Sequence, residues 1–261
     1  MNPNNRVVIL TGATAGIGRA TAVALAQTGC KLVLAARHEE PLQTLAAELN
    51  VAGQQVLAVP TDMGETDQAA ALAHKTVEAF GRLDVVINNA GIGLRDRVEH
   101  LAEAEARRMM AVNYFGPVAL IQASIPYLRA NPDGGLIINV SSIVGRRAVP
   151  GIANYCASKA ALERMAESLR LELKPNNIRV STIYPGVTAT GFNANSLGRG
   201  PAGRGRVGGV PPERVAQAIL HTIRHERRDV FITLIDRAFV TASAVWPWLM
   251  DQILGRYFGQ R

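Results

Sequence analysis

A phenol and an ammonium four positions apart carry the first chemical signal in this chain: Tyr155 and Lys159, in the run Asn154-Tyr155-Cys156-Ala157-Ser158-Lys159. On a helix that spacing puts both groups on one face, one turn apart. An unperturbed tyrosine gives up its proton near pH ~10, and a nearby cation favours the phenolate. A partly buried Tyr155 beside Lys159 could therefore work as general acid or base near neutral pH. Taken alone, the spacing is common on solvated helix surfaces, so its meaning rests on the elements that position it.

Those elements begin at the N-terminus. Residues 6–10 (Arg-Val-Val-Ile-Leu) read as a strand, Thr11-Gly12-Ala13-Thr14-Ala15-Gly16-Ile17-Gly18 as a turn, and the apolar-periodic stretch 20–27 as a helix. Gly12 permits a tight turn, Gly16 lets the backbone approach a pyrophosphate, and Gly18 lets the helix pack on the strand with its first amides facing the phosphates. The spacing is Gly-x-x-x-Gly-x-Gly rather than Gly-x-Gly-x-x-Gly, and a turn of this kind can also be purely structural. A second strand over 31–35 leads through Ala36 to Arg37, where a dinucleotide fold would place the adenosine ribose. A carboxylate there accepts from a free 2'-hydroxyl and repels a 2'-phosphate, whereas a guanidinium does the reverse. Arg37 thus points to NADP(H), with NAD(H) as the lesser option; the bland alternative is a solvated arginine partnered by Glu39 and Glu40.

With both sites in view, the chain resembles the short-chain dehydrogenase/reductase family in its single-domain branch, over residues 6 to about 232. The likeness rests on Thr11-Gly12-x-x-x-Gly16-Ile17-Gly18, Asp62, Asn88-Asn89-Ala90-Gly91, Asn113, Ser142, Tyr155-x-x-x-Lys159 and Pro185-Gly186, all in family order. The resemblance implies an α/β, Rossmann-like, doubly wound parallel sheet of seven strands with helices on both faces. It also implies a nicotinamide cofactor and hydride transfer to or from a carbonyl carbon.

Each matched residue then has an implied task. Ser142 would orient the substrate carbonyl, Tyr155 would exchange the proton, and Lys159 would bond the nicotinamide ribose and acidify the phenol. Asn113 matches the family's helix residue that bends the chain and anchors a water relay, although a satisfied core amide reads equally well. Gly12, Thr14, Gly16, Ile17 and Gly18 would line the phosphates. Asp62 and Met63 would meet the adenine, with helix N-capping as a second role for Asp62. Asn89, Ala90 and Gly91 would pass close to the ribose. Pro185, Gly186, Thr188 and Thr190 would hold the carboxamide; Thr188 departs from the aliphatic residue more often found there, and a main-chain contact would survive the change.

Composition is compatible with this picture. At 261 residues, 48% hydrophobic and 19% charged, the chain can bury one sizeable core and is expected to form a single domain over 1–261. Strand-like runs at 6–10, 31–35, 54–59, 83–87, 136–140, 178–184 and 230–233 alternate with helical segments, as in a parallel sheet with crossovers. Cys30 and Cys156 lack metal-like spacing, and residues 1–5 are short and polar, which predicts a reduced, cytoplasmic protein. Cys156 reads as a packing residue. His221 and His225 could grip a metal by spacing, but no third ligand is evident, and no metal is expected.

Net charge +7 and pI 9.9 raise the question of an anionic partner. Part of the excess sits in a glycine-rich stretch with Arg199, Arg204 and Arg206, inside a substrate-side flap expected at about 190–212. It lacks the aromatics of an RNA-binding tail, and no nucleic acid is expected. An apolar segment at about 237–258 is too short to span a bilayer, which needs ~20 apolar residues, and Pro247 interrupts it. A pocket wall or subunit contact is the preferred cover, with peripheral membrane contact through Trp246 and Trp248 as the alternative. The function expected is an NADP(H)-dependent oxidoreductase acting on a small carbonyl or alcohol, lipophilic in character, in a homodimer or homotetramer. Its rivals are a non-catalytic NADP(H)-binding sensor or scaffold, which would not need the Ser-Tyr-Lys set, and a sugar-nucleotide epimerase, which would need a larger C-terminal substrate region.

Overall fold

A computed structural model describes residues 1–50, 55–193, 196–198 and 209–258. Strands and helices alternate as β1 (Val7–Thr11), α1 (Gly16–Ala26), β2 (Lys31–Ala36), α2 (Glu39–Asn50), β3 (Val56–Pro60), α3 (Thr66–Phe80), β4 (Val85–Asn88), α4 (Glu103–Met110) and α5 (Gly116–Ala130). They continue as β5 (Gly135–Val140), α6 (Ile143–Arg146), α7 (Ala153–Glu172), β6 (Ile178–Tyr184), α8 (Pro212–His225), β7 (Asp229–Phe231), α9 (Leu234–Val245) and α10 (Pro247–Phe258). The strands form one sheet in the order β3-β2-β1-β4-β5-β6-β7, every neighbouring pair parallel.

The central strands are largely apolar because both faces of the sheet are covered. Along β1 and β2, Val8, Leu10, Leu32 and Leu34 face a layer containing Leu25 of α1, Leu42 of α2 and Ile219 of α8. The alternate residues Ile9, Val33 and Ala35 face Leu72 of α3, Leu120 of α5 and Leu169 of α7. Period-two alternation therefore sorts side chains between two cores rather than between core and water.

The chain order reverses between β1 and β4, which opens a crevice beyond their carboxyl ends. Register brings Leu10 level with Ile87 and Asn88 level with Asn139, so the loops after β1, β4 and β5 emerge side by side. Strand ends depart from expectation by at most two residues. The fourth strand starts at Val85 rather than 83, and the last is Asp229–Phe231 rather than 230–233. The latter stops early because Thr233 caps α9: its Oγ1 accepts from the N–H of Asp236 at 3.0 Å, while Asp236 accepts from the N–H of Thr233 at 3.2 Å.

Candidate active site

The glycine turn forms one wall of the crevice. Gly12 and Gly16 hold φ of 66° and 50°, a region that favours glycine. The turn is braced from β4: Thr11 Oγ1 accepts from the N–H groups of Asn89 and Ala90, both at 3.0 Å. The Asn89 amide donates to the carbonyls of Thr11 at 2.9 Å and Gly12 at 3.2 Å. Asn89, expected against a ribose, thus spends its side chain shaping the turn, and Thr11 is a structural member that spacing did not reveal. Helix α1 begins at Gly16 after Ala15, which offers no side-chain cap; its first amides remain for an external acceptor.

The candidate reactive groups come from two elements. Tyr155 and Lys159 lie on α7, with the ammonium 5.9 Å from the centre of the phenol ring. Ser142 is the N-cap of α6, accepting from the N–H of Val144, and it lies close enough to the Tyr155 phenol to favour its ionised form. Its own hydroxyl also reaches the carbonyl of Pro185 at 3.3 Å. The ring of Phe192 stands 5.6 Å from that of Tyr155.

The expected acidification of Tyr155 is not a property of the protein alone. Burial pushes its phenol well above the ordinary value, the neighbouring Cys156 adds to the rise, and the nearby Ser142 only partly offsets them. Lys159 is itself buried, which draws its pKa down to about 8, and its ammonium donates to the carbonyl of Val140 at 2.9 Å rather than to the phenol. The neutral phenol is therefore the resting state, as a proton donor requires.

Asn113 sits in a π-helical turn, Ala111–Phe115, between α4 and α5, fully buried. Its Oδ1 accepts from the N–H of Ile92 at 2.8 Å, and its Nδ2 donates to Ile92 O at 2.9 Å and Ser158 Oγ at 3.0 Å. It is thus a satisfied amide that ties the loop after β4 to α7. It also faces the site, since a methyl group on Gly91 would lie 3.3 Å from both Asn113 Oδ1 and Lys159 Nζ.

Past the end of β2, where an adenosine was expected, Arg37 is exposed, its Nη2 3.5 Å from His38 Nε2. Glu39 and Glu40, considered as its partners, occupy the first turn of α2, where the helix dipole favours carboxylates; no ion pair joins them to Arg37 among the described residues. Asp62 is more committed than expected. Its carboxylate accepts from the N–H of Gly64 at 2.8 Å and from Arg108 at 2.6 Å. Burial would raise its pKa, but Gly64, Arg108 and the more distant Arg37 hold it below the usual range. The capping role is corrected: α3 begins after Glu65, without a side-chain cap, because Asp62 closes its own turn three residues earlier. Arg108, forty-six positions from Asp62, had no local signal.

Pro185 and Gly186 cross the ends of β5 and β6, and Gly186 packs against the Asp236 carboxylate. Thr188 bridges to Val210, and the methyl of Thr190 lies against Gly16. Within the segment expected to form a flap, described residues are tied down by main-chain bonds: the Arg95 N–H donates to Leu197 O and the Leu197 N–H to Gly93 O, each at 2.9 Å, and the Val210 N–H donates to Val187 O at 2.9 Å. Arg199, Arg204 and Arg206 lie outside the described residues. Cys30 and Cys156 are buried free thiols, both raised in pKa by burial. His221 and His225 stack at 4.1 Å on α8, and no group of metal-ligating side chains gathers among the described residues.

A parallel sheet with a phosphate-type turn and a Ser-Tyr-Lys group at its switch point defines a nicotinamide-cofactor oxidoreductase of the Rossmann type. The family described as short chain dehydrogenase matches residues 6–198, and this chain belongs to it. It is 34% identical over 264 residues to a dehydrogenase/reductase SDR family protein 7-like of Anopheles gambiae, covering 95% of this chain and 83% of the relative. Among solved structures it is similar to a short-chain dehydrogenase/reductase from Burkholderia phymatum in complex with NAD, with TM-score 0.89, 25% identity and 96% of each chain covered. It is also similar to a short-chain dehydrogenase from Burkholderia cenocepacia in complex with NADP, with TM-score 0.81, 29% identity, and 97% and 99% of the two chains covered.

Proposed function

We propose that this protein is an NADP(H)-dependent oxidoreductase that interconverts a carbonyl and a secondary alcohol, with Tyr155 as its proton donor and acceptor. The observation that carries the reading is the meeting of Ser142, Tyr155 and a buried Lys159, with the Lys159 ammonium 5.9 Å from the centre of the phenol ring, across from a glycine turn whose helix has no side-chain cap.

The chain's residues fit the cofactor. A side chain at Gly12 would fill the cradle, its Cβ only 2.8 Å from Ala90 Cα, and the uncapped amides of α1 suit a pyrophosphate. Gly12, Gly16 and Gly18 would border that group. Arg37 would take a 2'-phosphate, Asp62 and Met63 the adenine, Ala90 and Gly91 the inner ribose, and Lys159 the nicotinamide ribose. Pro185, Gly186, Thr188 and Thr190 would serve the carboxamide. Bound NADP(H) supplies or accepts the hydride.

The side chains manage the other half of the reaction. Ser142 orients the ligand oxygen, and Tyr155 gives its proton to the alkoxide that develops in reduction, or removes the proton in oxidation. Lys159 shares in stabilising the phenolate left behind, and Asn113 holds the loop that shapes the floor of the site. Phe192 beside Tyr155 favours an apolar group next to the reacting carbon. The relatives' family habit supports a homo-oligomer as the working form.

The direct test is consumption of NADPH and of NADH with a panel of ketones, aldehydes and quinones. Carbonyl-dependent oxidation, faster with NADPH, is the expected result; cofactor binding with no turnover on any member would favour a sensor instead.

A further inference from the structure

The outermost helices leave an apolar face open. No residue of α10 is buried. Met250, Leu254 and Phe258, four apart and half-buried, form its inner stripe, and the helix packs on α9. A second stripe at helical spacing comprises Trp246, Leu249, Ile253 and Tyr257, which are 54%, 39%, 49% and 55% exposed. Trp248, 62% exposed, widens it. Leu234 and Ile235, at the start of α9, are exposed as well. An apolar surface of this extent is unusual on a freely solvated protein.

Charge decides what covers it. The segment 234–258 contains two acids, and both are engaged: Asp236 in the capping box of α9 and Asp251 with Arg147. Its two arginines, Arg237 and Arg256, are exposed. Arg256 follows Ile253 by three positions and so flanks the α10 stripe, and Arg237 follows the exposed Leu234 by three positions at the start of α9. A second copy of the chain would bring the same arginines and another +7 net charge to the contact. Anionic lipid headgroups complement them, and indole rings suit the boundary between headgroups and acyl chains.

We propose that the outer face of α9 and α10 docks on an anionic bilayer surface, seating Trp246, Trp248, Leu249 and Ile253 at the acyl boundary with Arg256, and Arg237 of α9, among the phosphates. The attachment is superficial, since no helix among the described residues is long and apolar enough to cross a membrane. Both helices adjoin the Ser142 side of the crevice: α9 contacts α6, which starts directly after Ser142, and Arg147 beyond α6 holds Asp251 of α10. The proposal does not depend on the reaction assigned above.

The chain's two tryptophans both lie in this face, so intrinsic fluorescence reports it selectively. The full-length protein, mixed with phosphatidylcholine–phosphatidylglycerol vesicles, should shift its emission to the blue and sediment with the lipid. Pure phosphatidylcholine should bind it far less. Replacing both arginines (Arg237→Gln with Arg256→Gln) should weaken binding about 30-fold, as two charges at headgroup level would give. Ile253→Glu, at an exposed position, should release the protein while leaving its circular dichroism and melting unchanged. Unmoved emission with all protein in the supernatant would overturn the proposal. So would a blue shift that follows protein concentration without lipid and accompanies a doubled mass, which would assign the face to a second copy.

Discussion

Gly18 lies so close to Gly12 that a methyl group has no room between them: a Cβ on Gly18 would stand 1.9 Å from the carbonyl oxygen of Gly12. That oxygen also accepts from Asn89 at 3.2 Å, so it cannot yield without disturbing the loop after β4. The first turn of α1 is thereby locked onto the end of β1. Gly18→Ala should push the helix from the turn and lower NADPH affinity at least tenfold in a fluorescence titration. Overpacking of this kind costs roughly 1–3 kcal/mol of stability, visible as a lowered urea midpoint. Affinity equal to that of the unaltered protein would show that α1 does not shape the phosphate site.

Tyr155 lies beside Ser142, and the ring of Phe192 stands 5.6 Å from its own. Removing only the hydroxyl, in Tyr155→Phe, leaves the ring contacts and the glycine turn in place. Turnover should fall by about 10²- to 10⁴-fold, the usual worth of a positioned acid, while NADPH affinity changes little. Substantial residual turnover at unaltered cofactor affinity would remove Tyr155 from the mechanism.

Much of the fold was legible because parallel strands covered on both faces must be continuously apolar. Val7, Val8, Ile9 and Leu10 could hardly be anything but a central strand. The residues that meet in the crevice were legible through Tyr155-x-x-x-Lys159, the glycine spacing and Ser142, since helix periodicity and strand ends place them. Their environment was not. The burial that raises Tyr155 and depresses Lys159 arises from packing between α7 and the loops after β4 and β5, which local spacing does not encode. The Asp62–Arg108 pair is likewise tertiary. Thr11 was readable as the first residue of the motif, but its service to two amides of a distant loop was not. The strand-like 230–233 was misjudged at its end because the Thr233–Asp236 capping box reads as a helix start only once β7 is seen to stop.

Lys159 yields a prediction of defined sign. Its folded pKa of about 8 lies below its ordinary 10.5 because burial disfavours the cation. Below about pH 8 the folded and unfolded chains both hold its proton; between about 8 and 10.5 only the unfolded chain does. Unfolding then takes up a proton, so the cost of burying the cation fades and stability rises with pH. The unfolding free energy of the cofactor-free protein, minus that of Lys159→Met, should increase across this window by on the order of 3 kcal/mol. A flat difference would mean that Lys159 is solvated in the folded state.

Arg37 gives the test of cofactor choice. It stands exposed past the end of β2, and it contributes to holding the Asp62 carboxyl low, so its charge reaches the adenosine end of the crevice. A guanidinium gains charge-assisted hydrogen bonds from a 2'-phosphate, worth about 1.5–3 kcal/mol, that a 2'-hydroxyl cannot match. Arg37→Asp removes them and sets a carboxylate against the phosphate. NADPH affinity should drop by about 10- to 100-fold or more, whereas NADH, whose hydroxyl can donate to the new carboxylate, should bind as well or better. Measuring both dissociation constants on the two proteins separates the effects. If NADPH and NADH weaken in parallel, Arg37 supports the fold of the loop and does not read the phosphate.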